Sequence, residues 1–439
     1  MKFFSVGGPV TSHWCLVLPH PVTRLVGLLI SAWLLWPLGL AAQQPLTLDD
    51  VLREAQRANA RLPVSALGVD IARNTVRELR ASRWPRFSME SGVSMGAPLA
   101  YTTSQGQLQL VGGDTLFTGG LRRANLRAAN YQVQAASAGL RMTQKDVDFA
   151  VRLRFVELLE AEDEIAVRGQ GIERLQNYLA QIEARRAAGQ PVGSDVVTTQ
   201  VRLGTEEATL ADAERVLDGT RLQLNELMGR DPAAPLTVVP LPPPAPPALA
   251  PDSAWLAAPE IRLAAAGRAA TEAGIAATQS ERRPQLSVSA NLGVLPVFAD
   301  SNPGTGLNSG SGFGGALVFS LSWPFLDGGA YRARLERAQA QARQARDSEI
   351  VVMQQTRLAW RLAGAERARL YQQVQIWARN VPLARDAYLQ TQSMYTGGAA
   401  TALEVLDAFS AWINVSTAYA NTVLRYRQAE ANAIRWGTP

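Results

Sequence analysis

Apolar and polar positions follow two different periods along this chain. In four segments they alternate one by one, more regularly in residues 285–294 and 316–323 and more weakly in residues 87–95 and 107–110. A period of two predicts strands that have one apolar and one polar face. The sequence therefore predicts two β-hairpins, at residues 86–117 and 285–326, each with a turn-rich loop.

The apolar side chains of these strands form the expected lipid-facing set: Phe87, Met89, Leu286, Val288, Leu317 and Phe319. Strands of about 10 residues with polar faces turned inward are typical of outer-membrane barrels. The loops are expected at residues 96–106 and 296–312, where turn-forming residues cluster. Either hairpin taken alone also fits a half-buried sheet of a soluble protein.

After each hairpin the period becomes helical. Apolar residues recur at every seventh position, first at Val151, Leu158, Ile165, Ile172 and Leu179, and later at Val374, Val381, Tyr388 and Tyr395. Sustained heptads predict coiled-coil packing. The pattern predicts long helices at residues 120–188 and 330–396, each about 100 Å long, followed by return helices at residues 195–229 and 403–436.

Helix starts and breaks have their own signals. Thr118, Asp327 and Ser194 precede helical segments and are candidate caps. Pro382 lies inside the second long helix and predicts a kink or a restart there, with Asn380 as the candidate cap of the restarted helix.

The chain contains two copies of one pattern, offset by 209 residues. Leu116-Phe117-Thr118-Gly119-Gly120 corresponds to Phe325-Leu326-Asp327-Gly328-Gly329, and in both copies another glycine follows 69 residues after the last of these. The predicted organisation is therefore a first repeat at residues 43–239, a proline-rich linker at 240–259 and a second repeat at 260–439. Each repeat has the order helix, hairpin, long helix, return helix.

The first 42 residues have the features of an export signal. Positive charge precedes the apolar stretch at residues 25–40, and small residues then suit cleavage. Removal of residues 1–42 would also remove His13, Cys15 and His20, and so every histidine and cysteine of the chain. Thiol and imidazole chemistry and the usual zinc sites are then excluded. We expect no catalytic residue, no metal site and no cofactor, and thus no enzyme.

The formal charge of +5 is spread thinly, with no run of five like charges, and does not indicate binding to nucleic acid. Four amphipathic strands cannot close a barrel alone, and an open strand edge in lipid costs several kcal/mol per unpaired group. Several chains must then contribute to one barrel.

The doubled layout resembles the TolC-like outer membrane efflux family. The resemblance covers nearly the whole chain after residue 42 and includes Leu46-Thr47-Leu48-Asp49-Asp50 and Tyr395-Thr396-Gly397-Gly398 followed by Glu404-Val405-Leu406-Asp407. It implies a mixed α and β membrane protein. In this fold a homotrimer builds a 12-stranded β-barrel in the cell outer membrane, and a coiled-coil α-helical barrel continues it into the periplasm.

The family also implies partners: a periplasmic adaptor (membrane fusion) protein, an inner-membrane pump and outer-membrane lipid. The channel would conduct substrates passively, in a tripartite efflux or a type I secretion system. The sequence does not indicate whether the cargo is a drug, a metal, another small molecule or a polypeptide. A periplasmic coiled-coil scaffold without a pore is the alternative, although it gives no reason for alternating strands in both halves.

The resemblance assigns candidate site residues by position. Glu404 and Asp407 match two acids that ring the narrow periplasmic mouth, and Tyr395 and Asp195 match residues that link neighbouring coils in the closed state. The family's arginine in the second tip turn falls at Ala400 here, so one such contact is absent. The plainer interpretation of the two acids is that they are exposed residues in a first helical turn.

Gly189 and Gly398 match the glycines of the tip turns that contact the adaptor. A purely structural requirement for glycine in two tight turns explains them equally well.

Overall fold

The computed structural model describes residues 45–96, 103–189, 194–248, 251–298 and 310–437, and the predicted signal segment at 1–42 lies outside these ranges. The helices are α1 Leu48–Ala58, α2 Arg61–Ala81, α3 Leu121–Ala187, α4 Asp195–Leu227, α5 Pro259–Glu281, α6 Ala330–Thr396 and α7 Ala402–Arg435. The strands are β1 Arg86–Gly96, β2 Thr103–Phe117, β3 Gln285–Phe298 and β4 Gly310–Ser322. None of the helices in the described ranges combines the length and apolar character needed to span a membrane.

The four strands form one antiparallel sheet in the order β1-β2-β3-β4. The two hairpins belong to different halves of the chain and are joined by the pairing of β2 with β3. This pairing has an irregularity between Thr115 and Phe117. Within the described residues β1 and β4 are each paired on one side only, so the sheet has two open edges.

One face of the sheet is apolar across all four strands. Cross-strand partners place Met89 opposite Leu110, Leu110 opposite Leu292, and Val288 opposite Phe319. Of the expected lipid-facing set, Phe87, Met89, Leu317 and Phe319 are exposed and Leu286 and Val288 are half-buried. Serine, glutamine, asparagine and small residues occupy most of the other face. The predicted two-faced strands are thereby confirmed, and the contact with lipid stays a prediction.

Gly112 shows how the apolar face is packed. A Cβ atom at this position would lie 2.6 Å from the ring of Phe87, its cross-strand partner. The ring therefore covers the glycine backbone, and any larger residue would displace it.

The predicted loops are too long. β3 continues to Phe298 and β4 begins at Gly310, because backbone pairing persists to Val297 and Gly310 although Pro296 lacks an amide proton. β2 begins at Thr103, inside the predicted first loop, and β4 ends at Ser322, before the predicted end of the second hairpin at 326.

The helices form a row whose order changes along its length. Close to the sheet the neighbours are α2-α3-α5-α6, and farther away they are α4-α3-α7-α6. Helix α6 thus lies at one end of the row throughout, and α2 and α4 share the other end. The heptad positions Val151 and Leu158 are fully buried, and Val374 and Tyr388 are almost so.

Of the two outcomes expected at Pro382, the restart is wrong and the kink stays a prediction. Helix α6 runs from Ala330 to Thr396 without interruption and contains Pro382, and Asn380 caps no helix. A proline in a helix interior costs about 3 kcal/mol. Burial of Val374 before it and Tyr388 after it holds both parts of the helix against α7.

None of the three candidate caps occupies the N-cap position with a side-chain cap, because Gly120 and Gly329 take that position in the long helices, but Thr118 and Asp327 still accept from the second amide of each helix. Thr118 Oγ1 accepts from the Arg122 amide at 3.4 Å, and Asp327 Oδ2 accepts from the Tyr331 amide at 2.5 Å. Ser194 makes no side-chain cap, because its backbone (φ −86, ψ 2) lacks the extended conformation that directs a cap toward the first amides.

The proline-rich segment at residues 240–248, here called the proline strap, belongs to no helix or strand and is fixed to α7. The Tyr426 hydroxyl donates to the Ala245 carbonyl at 2.5 Å, and the Arg427 guanidinium donates to the Pro242 carbonyl. Just before the strap, Val238 forms a parallel bridge with Leu46. The strap therefore ties the start and middle of the chain to its last helix.

Leu317→Arg tests the orientation of the sheet. Leu317 lies on the apolar face near the middle of β4, opposite Ala290. If this face meets lipid, arginine here should destabilise the membrane-inserted protein by about 2–4 kcal/mol. The measurement is the yield of folded, heat-modifiable protein in the outer-membrane fraction. Ala316→Arg, on the next residue and the opposite face, is the matched control and should insert normally. Equal yields of the two variants would contradict the assignment.

Candidate functional site at the helix tips

The turn between α6 and α7 is built around Gly398, whose φ is +78°. The Ala399 amide donates to the Met394 carbonyl at 2.8 Å and the Gly398 amide to the Tyr395 carbonyl at 3.0 Å, as in a Schellman motif. Open space surrounds the position, so backbone conformation alone requires glycine.

The turn after α3 follows the same principle. Gly189 also has φ +78°, and its amide donates to the Arg186 carbonyl at 3.0 Å. The two predicted tip glycines therefore end the two long helices in the same way. Their contact with an adaptor stays a proposal.

Helix α7 begins with a capping box that the sequence analysis overlooked. Glu404 Oε2 accepts from the Thr401 amide at 2.6 Å and from Thr401 Oγ1 at 3.0 Å, while the Glu404 amide donates to Thr401 Oγ1 at 3.3 Å. The hydrogen bond from the Thr401 backbone, and after it the one from the Thr401 side chain, lowers the pKa of Glu404. Thr-x-x-Glu before an apolar run is the sequence signal that identifies such a box.

Asp407 lies one turn farther along α7 and is exposed. Its carboxylate forms no ion pair or hydrogen bond with the residues that the structure describes. The two predicted acids thus differ in availability, since Glu404 is held by its own helix start and Asp407 is not.

Behind these turns lies an aromatic cluster, here called the tip cluster, that joins α3, α4, α6 and α7. Tyr388 stacks on Trp412 with ring centroids 5.8 Å apart, and Phe409 meets both rings edge-on. Tyr178 and Tyr395 meet at 5.5 Å in a T-shaped arrangement. Aliphatic side chains complete the cluster, among them Leu175, Ile182, Val196, Val405, Leu406 and Ile413.

Tyr178 is the common neighbour of two predicted site residues. Burial raises the pKa of its hydroxyl, and the nearby Tyr395 hydroxyl and Asp195 carboxylate raise this pKa further. Asp195 is half-buried at the first position of α4. The structure therefore brings Tyr395 and Asp195 to the same place through a tyrosine that sequence reasoning missed.

Arg185 supplies a cation beside Tyr395. Its guanidinium carbon lies 4.6 Å from the centroid of the Tyr395 ring, and its Nη2 donates to the Thr396 carbonyl at 3.3 Å. A guanidinium is favourable at this carbonyl because it lies at the C-terminal end of a helix. Ala400, where the family has an arginine, is half-buried against the tip cluster. The arginine that contacts α6 in this chain is Arg185, in the last turn of α3.

The site therefore consists of two turns, one helix start and the contacts behind them, all at the end of the helix row that is farthest from the sheet. Among the described residues, no three acids, histidines or cysteines are arranged to hold a metal ion. The chemistry available at these tips is electrostatic attraction and packing between helices.

Comparison with known proteins gives consistent matches. A family model described as outer membrane efflux protein matches residues 51–230 and 250–434. Protein CyaE of Bordetella pertussis is 28% identical over 269 residues, which are 58% of this chain. Outer membrane efflux protein BepC of Brucella suis is 24% identical over 372 residues, which are 82% of this chain and 78% of BepC.

The match to CyaE spans 53% of that protein's length, about half. Among solved structures, the outer membrane protein VceC of Vibrio cholerae superposes with a TM-score of 0.77 at 18% identity. That superposition covers 89% of this chain and 96% of VceC, so the two share one fold over nearly their full lengths.

Replacement of Arg185 by glutamine should loosen the tips of α3 and α6 from each other. A hydrogen bond from a charged group contributes about 1.5–3 kcal/mol, so amide exchange in residues 388–399 should accelerate by about tenfold or more. Hydrogen exchange with mass spectrometry measures this. Arg186→Gln is the matched control, because Arg186 is exposed and its side chain contacts no partner among the described residues. Equal exchange in the two variants would show that Arg185 does not join the helices.

Proposed function

The chain belongs to the outer membrane efflux protein family, and from this we propose that three copies assemble into one continuous passive conduit across the outer membrane and the periplasm. Members of this family are transport channels and not enzymes. The protein is accordingly an outer-membrane channel for efflux or secretion, with a large periplasmic helical portion and a TolC-like fold.

The observation that supports assembly is that the sheet and the helix row each have two edges without a neighbour in the described chain. One side of the molecule ends in β1, α2 and α4, and the other side ends in β4 and α6. Two different edges that complement each other make a head-to-tail interface, which closes into a ring when the rotation fits.

The edge helices also carry apolar side chains that nothing in the described chain covers. On α2 these are Val64, Leu67 and Ile71, on α4 Val197 and Val201, and on α6 Leu358, Leu362, Ile376 and Leu383. In a ring, α6 of one copy would cover α2 and α4 of the next. Burial of that surface would drive association together with strand pairing.

Three copies would give 12 strands, an even number within the range of known barrels. The helix rows would then close into a tube below the barrel. The recurrence of one element order in both halves supports an origin by internal duplication, and six similar units would surround the axis. A coiled-coil scaffold without a pore leaves the apolar sheet face and both open edges unexplained.

The conduit would work in a tripartite efflux or type I secretion system. The tip turns at Gly189 and Gly398 would contact a periplasmic adaptor, and an inner-membrane pump would supply energy and select the cargo. The similarities to CyaE and to BepC fit efflux and secretion alike, so the proposal covers both kinds of cargo.

Cysteine cross-linking tests the ring. All variants carry Cys15→Ser. Each has Ser88→Cys on β1 and one further cysteine on β4, in place of Ala316, Val318, Ser320 or Ser322, and all five positions lie on the polar face of the sheet. We expect at least one pair to give a covalent ladder that ends at three chains. Gln109→Cys on β2 replaces Ser88→Cys in the control and should give no interchain product, because β2 lies inside its own sheet. Absence of every interchain product, or a ladder ending at another number, would contradict the trimer.

Channel recordings test the acids at the mouth. Three copies would place six carboxylates from Glu404 and Asp407 near one axis and favour cations. Asp407→Asn should reduce cation selectivity and block by multivalent cations more than Glu404→Gln, because Thr401 holds the ionised Glu404 carboxylate against the start of α7, where the positive end of the helix dipole offsets part of its charge. The reversal potential in planar bilayers measures the effect, with Glu207→Gln on α4 as an exposed-acid control. Unchanged selectivity after replacement of both acids by alanine would remove them from the gate.

A further inference from the structure

The two corners where a helix passes into a hairpin have similar sequences. Arg83-Trp84-Pro85 joins α2 to β1, and Arg282-Arg283-Pro284 joins α5 to β3. Arg83 and Arg282 are exposed, and neither forms an ion pair with a described residue. Arg283 donates to the Gly119 carbonyl at 2.8 Å, so the second corner is fixed against the end of the first hairpin.

Nearby acids already have cationic partners. Asp114 pairs with Arg122 at 2.5 Å, and Glu281 pairs with Arg334 at 3.0 Å. Asp327 accepts from the Gly329 and Tyr331 amides and shares Arg334 with Glu281, at 3.4 Å. These three carboxylates are still outnumbered by five guanidinium groups, those of Arg83, Arg122, Arg282, Arg283 and Arg334. The charge left uncompensated at this end of the sheet is therefore positive.

Large apolar side chains are exposed at the same level. They lie within four residues of a strand end: Trp84, Phe117, Trp323, Phe325 and Leu326. Trp84 is 76% exposed and Leu326 is 84% exposed. Tryptophan mixed with arginine is typical of the zone where a membrane meets water, because the rings and guanidinium groups contact both hydrocarbon and headgroups.

We propose that Arg83, Trp84, Arg282 and Trp323 form a collar that binds the headgroups of anionic phospholipids in the periplasmic leaflet of the outer membrane. The collar adjoins the apolar sheet face and lies between it and the periplasmic helices. A guanidinium suits a phosphate because it offers several donors in a planar fork. Charge and continuity with a lipid-facing surface both favour a lipid over a protein partner.

The collar rests on the outer-membrane location of the family and on the proposed orientation of the sheet. Ring closure would extend it, because pairing of β1 with β4 of the next copy places Arg83 and Trp84 beside the neighbour's strand end, which Trp323 follows. The collar would then encircle the barrel.

The test uses the full-length channel in detergent with dioleoyl phosphatidylglycerol or dioleoyl phosphatidylcholine added at equal concentration. Native mass spectrometry counts the lipids retained by each assembled particle. The wild type should retain phosphatidylglycerol preferentially, and the preference should decline with added salt. R83Q/R282Q should weaken phosphatidylglycerol retention by about 25-fold, from roughly fivefold per arginine near an anionic surface. R83K/R282K, which keeps the charge, should retain most of the preference.

R61Q/R379Q is the matched control, since both arginines are exposed on helices remote from the strands. An unchanged preference in R83Q/R282Q, an equal loss in R61Q/R379Q, or no preference in the wild type would overturn the collar. The same spectra report the number of chains, so failure of assembly is distinguished from loss of lipid binding. Loss of preference in R83Q/R282Q with assembly intact supports the collar alone.

Discussion

The main physical constraint on an outer-membrane channel is that every backbone N–H and C=O group of its strands must find a hydrogen-bond partner within the protein, because the hydrocarbon of a membrane offers none. Within the described residues each of β1 and β4 has one unpaired edge, and in hydrocarbon each unpaired group costs several kcal/mol. The sheet determines the order of the helices next to it, because each strand is directly connected to one helix: α2 leads into β1, β2 into α3, α5 into β3 and β4 into α6. The order of the helices near the sheet is therefore the order of the strands, and any closure of the sheet would also close the helix row.

Local signals in the sequence predict the repeated elements well. The alternation at residues 285–294 and the heptads such as Val151 and Leu158 mark the apolar side of each element, and the spacing of apolar residues in the sequence shows this side directly. Pro382 and Ser194 show where local signals fail. Packing of Val374 and Tyr388 overrides the proline, and the backbone angles at Ser194 decide against a cap that its side chain could have made.

The candidate site was only partly predictable, for a related reason. Tyr395 and Asp195 were assigned by position in a motif, but Tyr178 and Arg185 lie in a different part of the chain from Tyr395. Only the fold brings these residues together. The capping box at Thr401 and Glu404 was different, because its spacing is a local signal that was available and overlooked.

The proline strap gives the long helices a fixed point. Tyr426 and Arg427 attach it to α7, and Arg367 of α6 pairs with Glu430 one turn away. From there to its start at Ala402, helix α7 extends about 36 Å, and its first turns pack against α3, α4 and α6 in the tip cluster. A tilt of α7 by about 10° about this fixed point would move Ala402 by about 6 Å, and the helices packed on it would have to move as well. In the proposed ring, the place where the strap crosses α7 would therefore limit how far the tips could separate by tilting.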